Sequence, residues 1–163
     1  MVPPAPGRRL ATCALAVALF ASCSHGMRYD ELRARAAPPR PGYSRIFVYT
    51  PSRSELLGVQ PEVTLNGEVA GTSRPGTFFY VDREPGVYRA TVPPRRVLSA
   101  FGNQGVSESA RVVLPLAGVA FVRVQVVEVS GLIEARVKAL DAAEAEPIIR
   151  ELRYAADAVA APP

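Results

Sequence analysis

Between residues 43 and 140 the chain is written mostly in runs of about 5 to 8 residues rich in Val, Ile, Phe, Tyr and Thr, each closed by Gly, Pro or Asn. Runs that short bury apolar surface by pairing side by side as strands, with successive side chains on opposite faces. The sharpest closure is Asn66-Gly67, set between Val63-Thr64-Leu65 and Glu68-Val69. Both central residues of a type I′ turn need positive φ, which Gly adopts freely and Asn at small cost, so the stretch predicts a two-residue β-hairpin.

The same reading predicts strands at residues 44–50, 62–65, 68–72, 77–82, 87–92, 110–116, 120–129 and 132–140. Glu84-Pro85-Gly86 joins a residue of fixed φ to one free to take positive φ, and predicts a turn between neighbouring antiparallel strands. Ala117-Gly118 and Ser130-Gly131 close the later runs. After Gly118, alternation puts Val122, Val124 and Val126 on one face and Arg123 and Gln125 on the other. Strands buried on one face and wet on the other fit an antiparallel sandwich or small barrel. No amphipathic stretch of about 10 to 15 residues lies between them to serve as a parallel crossover.

The two ends have a different texture. Asp141 and Glu144 have capping-box spacing, and Pro147 suits the first turn of a helix carrying Ile148, Ile149 and Leu152 on one side. A short helix followed by a frayed Ala-Pro tail is therefore expected over residues 141–163. At the other end, MVPPAPGRR supplies a positive start and LATCALAVALF an unbroken apolar run, before Phe20-Ala21-Ser22-Cys23 ends it with small residues and a cysteine. That is the three-part layout of an export signal. The apolar run is far short of the roughly 20 residues a membrane-spanning helix needs.

The ending resembles the lipobox of bacterial lipoproteins, with Phe20 where Leu is usual. The resemblance implies that residues 1–22 are removed as a signal peptide and that Cys23, the first mature residue, carries acyl chains that anchor it to a membrane. Because each buried CH₂ contributes about 0.8 kcal/mol, two or more chains make a stable anchor. Ser24, where Asp would favour inner-membrane retention, implies the periplasmic face of the outer membrane. Residues 23–42, with the stretch ARAAPPRPG, read as a flexible Pro-rich tether holding at most a short helical turn over 30–35.

The basic balance of 19 Lys plus Arg against 15 Asp plus Glu weakens once the signal is set aside, because Arg8 and Arg9 lie within it and leave 17 against 15. The remaining positives are scattered singly, apart from Arg95-Arg96, so no nucleic-acid footprint is expected. Cys13 falls inside the signal and Cys23 stands alone after it, so no intramolecular disulfide is expected.

Chemistry finds few candidates. The single histidine, His25, stands beside Cys23 and leaves the rest of the chain without the base of a Ser-His-Asp or Cys-His arrangement, and without zinc-ligand spacing. No glycine motif for phosphates or cofactors occurs. The carboxylates Asp82, Glu84 and Glu108 would serve a hydrolase only if the fold gathered them in one pocket. Phe78, Phe79 and Tyr80 read first as packing residues and second as a stacking surface. The long polar stretch 93–109, with Arg95-Arg96 and Gly102-Asn103-Gln104-Gly105, is a variable connection or a binding loop.

Taken in order, Arg45-Ile46-Phe47-Val48-Tyr49, Val63-Thr64-Leu65-Asn66-Gly67 with Gly71, Gly76-Thr77-Phe78-Phe79-Tyr80-Val81-Asp82, Pro85-Gly86-Val87-Tyr88 and Ala117-Gly118 before Phe121-Val122-Arg123-Val124 resemble the bacterial lipoprotein family with the domain of unknown function 2846. The resemblance spans about residues 44–153 and implies an immunoglobulin-like β-sandwich over 43–140, with no catalytic or cofactor residues to carry over. The expected protein is thus a lipid-anchored envelope lipoprotein whose sandwich is a non-enzymatic interaction or structural module with an envelope protein as its partner. A binding protein for periplasmic glycan or peptide, through the 93–109 loop or an open sheet edge, and a hydrolase using carboxylates are the alternatives.

Overall fold

The computed structural model describes residues 26–52, 60–93, 106–129 and 132–160. Cys23, His25, Arg95-Arg96, Gly102-Asn103-Gln104-Gly105 and Ser130-Gly131 lie outside the described residues. The chain runs α1 (Tyr29–Arg35), β1 (Ser44–Thr50), β2 (Glu62–Leu65), β3 (Glu68–Thr72), β4 (Thr77–Arg83), β5 (Gly86–Thr91), β6 (Val106–Ser107), β7 (Ser109–Leu114), β8 (Val119–Val129), β9 (Leu132–Leu140), α2 (Ala142–Ile149) and β10 (Arg153–Tyr154), then a 3₁₀ turn at Ala156–Ala158. One sheet has the order β10-β4-β1-β8-β9-β6 and the other β3-β2-β5-β7. The fold is a β-sandwich with a short C-terminal helix, as the alternating runs predict.

The Asn66-Gly67 hairpin is present as expected, with φ of 52° and 89° at its two central residues. It joins β2 to β3, Leu65 facing Glu68. Strands β8 and β9 form the longest antiparallel pair, from Phe121 opposite Leu140 to Val129 opposite Leu132.

Four expectations are corrected. The large sheet is mixed, because β1 pairs with β8, β10 with β4 and β6 with β9 in parallel. A parallel neighbour needs a long return path, and the chain supplies it by crossing into the second sheet and back before β8 begins. The turn at Glu84-Pro85-Gly86 does not join paired strands, since β4 pairs with β1 and β10 whereas β5 pairs with β2 and β7. The turn instead carries the chain across the sandwich, where facing sheets stand only about 10 Å apart. The Tyr88 hydroxyl pins it by donating to the Glu84 carbonyl at 2.6 Å.

The described part of the expected tether is docked. Gly26 N–H donates to the Tyr154 carbonyl and Tyr154 N–H to the Met27 carbonyl, both at 2.8 Å. Behind them α1 buries Tyr29 and Leu32, three residues apart on one helical face. Burial of a large apolar side chain contributes about 1.5–3 kcal/mol, enough to hold a seven-residue helix that would not persist alone. The Pro-rich stretch therefore lies inside the domain, between α1 and β1.

The described part of the C-terminal tail, up to residue 160, is also docked. Asp141 caps α2 by accepting the Glu144 N–H at 2.8 Å, as its spacing predicts, but Pro147 lies within the helix and Leu152 after it. The chain then adds β10 to the edge of β4, buries Ala155 and Ala158, and bridges Val159 to Gly71 of β3. A Cβ at Gly71 would meet the Ala158 carbonyl and come within 2.8 Å of the Phe79 ring, so this crossing needs glycine.

Strand β1 is buried along its whole length, which a sandwich strand with one wet face would not be. On one side Ile46 and Val48 join Val63, Leu65, Ala90, Val92, Val112 and Leu114 in the core between the sheets. On the other side Phe47 meets Tyr29 of α1 edge-on at 5.2 Å and stacks on Phe121 at 5.6 Å. Helices α1 and α2 thus cover the outer face of the large sheet, tied together by Arg33–Glu146 and Asp30–Arg150 ion pairs.

Candidate functional site

The two sheets leave a seam between β3 and β4. Strand β3 is the end of its sheet and is met there by the tail, Gly71 bridging Val159 and the Ala70 carbonyl accepting the Ala160 N–H at 3.1 Å, whereas β10 covers β4 only at Thr77 and Phe78. Because the Gly76 and Phe78 carbonyls turn toward β10, the period of two turns the backbone groups of Tyr80 and Asp82 toward the same open side. A groove of about 920 Å³ follows this seam, with Val69 and Ala70 on one wall, Tyr80 and Asp82 on the other, and Arg40 and Tyr43 at its mouth.

Behind the second wall stands a buried charge. Arg45 of β1, opposite Asp82 of β4, is 8% exposed. Its Nε and one terminal nitrogen donate to the two Asp82 oxygens at 2.7 and 2.9 Å, and that terminal nitrogen also donates to the Ala37 carbonyl at 2.9 Å. The guanidinium lies 3.9 Å above the Tyr80 ring, which stacks on Tyr154 with centroids 5.5 Å apart. Burial opposes the Arg45 charge, and the hydrogen bonds and negative charge of Asp82 outweigh it, so the guanidinium pKa is raised. Burial, reinforced by the neighbouring Tyr80 ring, pushes the Tyr154 hydroxyl up to about 12. Arg45 therefore keeps its charge and Tyr154 its proton at neutral pH. Arg40 lies 3.6 Å over the Tyr43 ring and gives the mouth a second cation on an aromatic face.

Such a groove can receive an extended chain. It offers the β4 edge beyond Phe78 for main-chain hydrogen bonds, apolar contact on Val69 and Val81, and charges of both signs from Glu68, Asp82, Arg40 and Arg83.

The carboxylates singled out in the sequence are not gathered. Asp82 is committed to Arg45, and Glu84 stands at the exposed turn, where it accepts the Tyr43 hydroxyl at 3.4 Å. Glu108 lies beside β9, at the edge of the large sheet opposite β4. Phe78 and Phe79 are buried, Phe78 against Tyr29 and Tyr154, and only Tyr80 reaches the groove. Among the described residues no three His, Cys, Asp or Glu side chains form a group able to hold a metal ion. None of the described helices is long and apolar enough to cross a membrane.

Sequence reasoning passed over Arg45, which stands at the head of an apolar run whose period places it beside Phe47 and Tyr49 on one face. A charge on a face otherwise made of rings was the available signal. No family model matches the chain, and neither the curated proteins nor the solved structures hold a significant match to it.

Proposed function

We propose that this protein is a lipid-anchored envelope lipoprotein whose β-sandwich is a non-enzymatic interaction module, and that its working surface is the groove between β3 and β4. The observation that carries the reading is the stretch of β4 edge left uncovered by β10, lining one groove beside the fixed Arg45–Asp82 wall. An extended peptide segment of an envelope protein is the ligand class that uses both features, through strand addition and side-chain contacts. The separation of Asp82, Glu84 and Glu108 lends the hydrolase reading no support.

The export layout ending at Cys23 supports the anchor, and the docked amino-terminal segment alters its geometry. Only Ser24 and His25 stand between Cys23 and Gly26, whose N–H is bonded to Tyr154. Three residue steps reach at most about 10 Å, so acyl chains on Cys23 would hold the sandwich against the bilayer instead of suspending it on a tether.

Intact mass spectrometry of the protein from a membrane fraction, compared with Cys23→Ala, tests the anchor. The expected result is a chain starting at Cys23 with diacylglyceryl and acyl additions, both lost with membrane retention in the variant. An unacylated chain in the membrane fraction, or one starting beyond Cys23, would overturn it.

A further inference from the structure

The outer face of the smaller sheet carries an arrangement that folding alone does not favour. In the β5–β7 pair Arg89 stands directly opposite Arg111, and both are exposed. Side chains opposite one another have Cβ atoms about 5 Å apart, where like charges repel and weaken the pairing. Neither guanidinium has a hydrogen-bonded or ion-paired side-chain partner among the described residues. On that face the nearest acid of β2 is Glu62, four residues from Asn66 and so about 13 Å along the strand, beyond a Debye length at physiological salt.

The groups around the pair are donors too. Asn66 accepts the Arg89 N–H through its side-chain oxygen at 2.8 Å, which leaves its NH₂ group to donate elsewhere. Ser109 adds a hydroxyl, and these residues line a shallow depression of about 400 Å³. One row further along the same face Val87 stands opposite Val113, and the two are 51% and 61% exposed. The face therefore reads in rows about 7 Å apart, first apolar, then doubly cationic, then hydroxylic.

We propose that Arg89, Arg111, Asn66 and Ser109 bind the phosphate of an anionic amphiphile whose apolar part lies along Val87 and Val113. Paired guanidiniums match phosphate oxygens in a fixed fork geometry, and a bound phosphate removes the repulsion between them. Neither a free anion nor a neutral lipid uses both rows.

The test uses the full chain carrying Cys23→Ser, so that no acyl chain of its own competes, and calorimetric titration with three probes below their micelle concentrations. These are inorganic phosphate, dihexanoyl phosphatidic acid and dihexanoyl phosphatidylcholine. Phosphatidic acid is expected to bind at least about tenfold more tightly than either of the others, as one or two charged hydrogen bonds or a few buried methylenes would give. R89Q/R111Q is expected to lose that binding while melting no lower than its parent, because it relieves a repulsion. V87S is expected to weaken phosphatidic acid and leave phosphate unchanged. Binding that survives R89Q/R111Q, or no saturable binding of any probe, would overturn the site. Equal binding of phosphate and phosphatidic acid, unmoved by V87S, would overturn the amphiphile.

Discussion

Arg45 grips both carboxylate oxygens of Asp82 across the β1–β4 pair, with the guanidinium 3.9 Å over the Tyr80 ring. An ion pair this enclosed contributes little beyond the cost of drying it, yet removal of one member leaves the other buried and unpaired. Asp82→Asn is therefore expected to destabilise the fold by about 3 kcal/mol, measured as a lowered urea midpoint. A change below about 0.5 kcal/mol, the range of ordinary surface substitutions, would show that Arg45 finds another partner.

Tyr29 distinguishes a docked amino-terminal segment from a tether. It is 1% exposed, with Phe47 at 5.2 Å and Phe78 at 5.9 Å in edge-on contact. Tyr29→Ala is expected to cost about 3–5 kcal/mol, as truncation of other buried aromatic side chains does. A chemical denaturation curve indistinguishable from that of the parent would place α1 outside the cooperative unit.

Tyr49 buries a hydroxyl that has no hydrogen-bond partner among the described residues. A buried unsatisfied polar group costs about 1–3 kcal/mol, so Tyr49→Phe removes a penalty and leaves the packing volume nearly unchanged. The expected result is a melting temperature several degrees above the parent's, and a lower one would reveal a partner for the hydroxyl.

Alkaline pH should act through the same side chain. Burial pushes Tyr49 up to about 12, partly offset by Arg123, and burial with Tyr80 does the same to Tyr154. Both folded pKa values stand above the unfolded value of 10.0, so the unfolded chain releases its protons first. The stability tied to these hydroxyls is whole below about pH 10 and is lost as pH rises toward 12. Absorbance at tyrosinate wavelengths should then rise in two stages, the exposed rings first and the buried ones together with loss of far-ultraviolet circular dichroism. Simultaneous titration of all tyrosines in a folded protein would contradict the burial.

Local chemistry was legible wherever the answer depended on a few neighbouring residues. Asn66-Gly67 specified its turn because both positions need positive φ, and Asp141 specified a cap because Glu144 follows at hydrogen-bonding distance along a helix. Strand boundaries followed for the same reason, from 44–50 through 132–140, with shifts of one or two residues at most of the others. Pairing was not legible. Pro85-Gly86 joins strands of different sheets as readily as neighbours in one sheet, and only the competing partners β2 and β7 decide which.

The groove was legible only in its ingredients. Asp82 and Tyr80 stood out, but Arg45 became their partner through a register that sets residue 45 opposite residue 82, and the open edge exists because β10 stops at Tyr154. The segment before β1 was misread for a related reason. Prolines and charges in ARAAPPRPG describe a loop, while the two side chains that dock it, Tyr29 and Leu32, acquire their meaning from rings on β1, β4 and β8.

The sequence by itself determined that this is a β protein with a capped terminal helix, because period, turn residues and caps act over a few ångströms and a few positions. Tertiary structure alone decided the parallel partners, the two-sided burial of β1, the docking of residues 26–35 and 153–160, and the facing of Arg89 with Arg111. Those depend on contacts between residues tens of positions apart, whose free energy is settled by which surfaces meet and not by any residue's own preference.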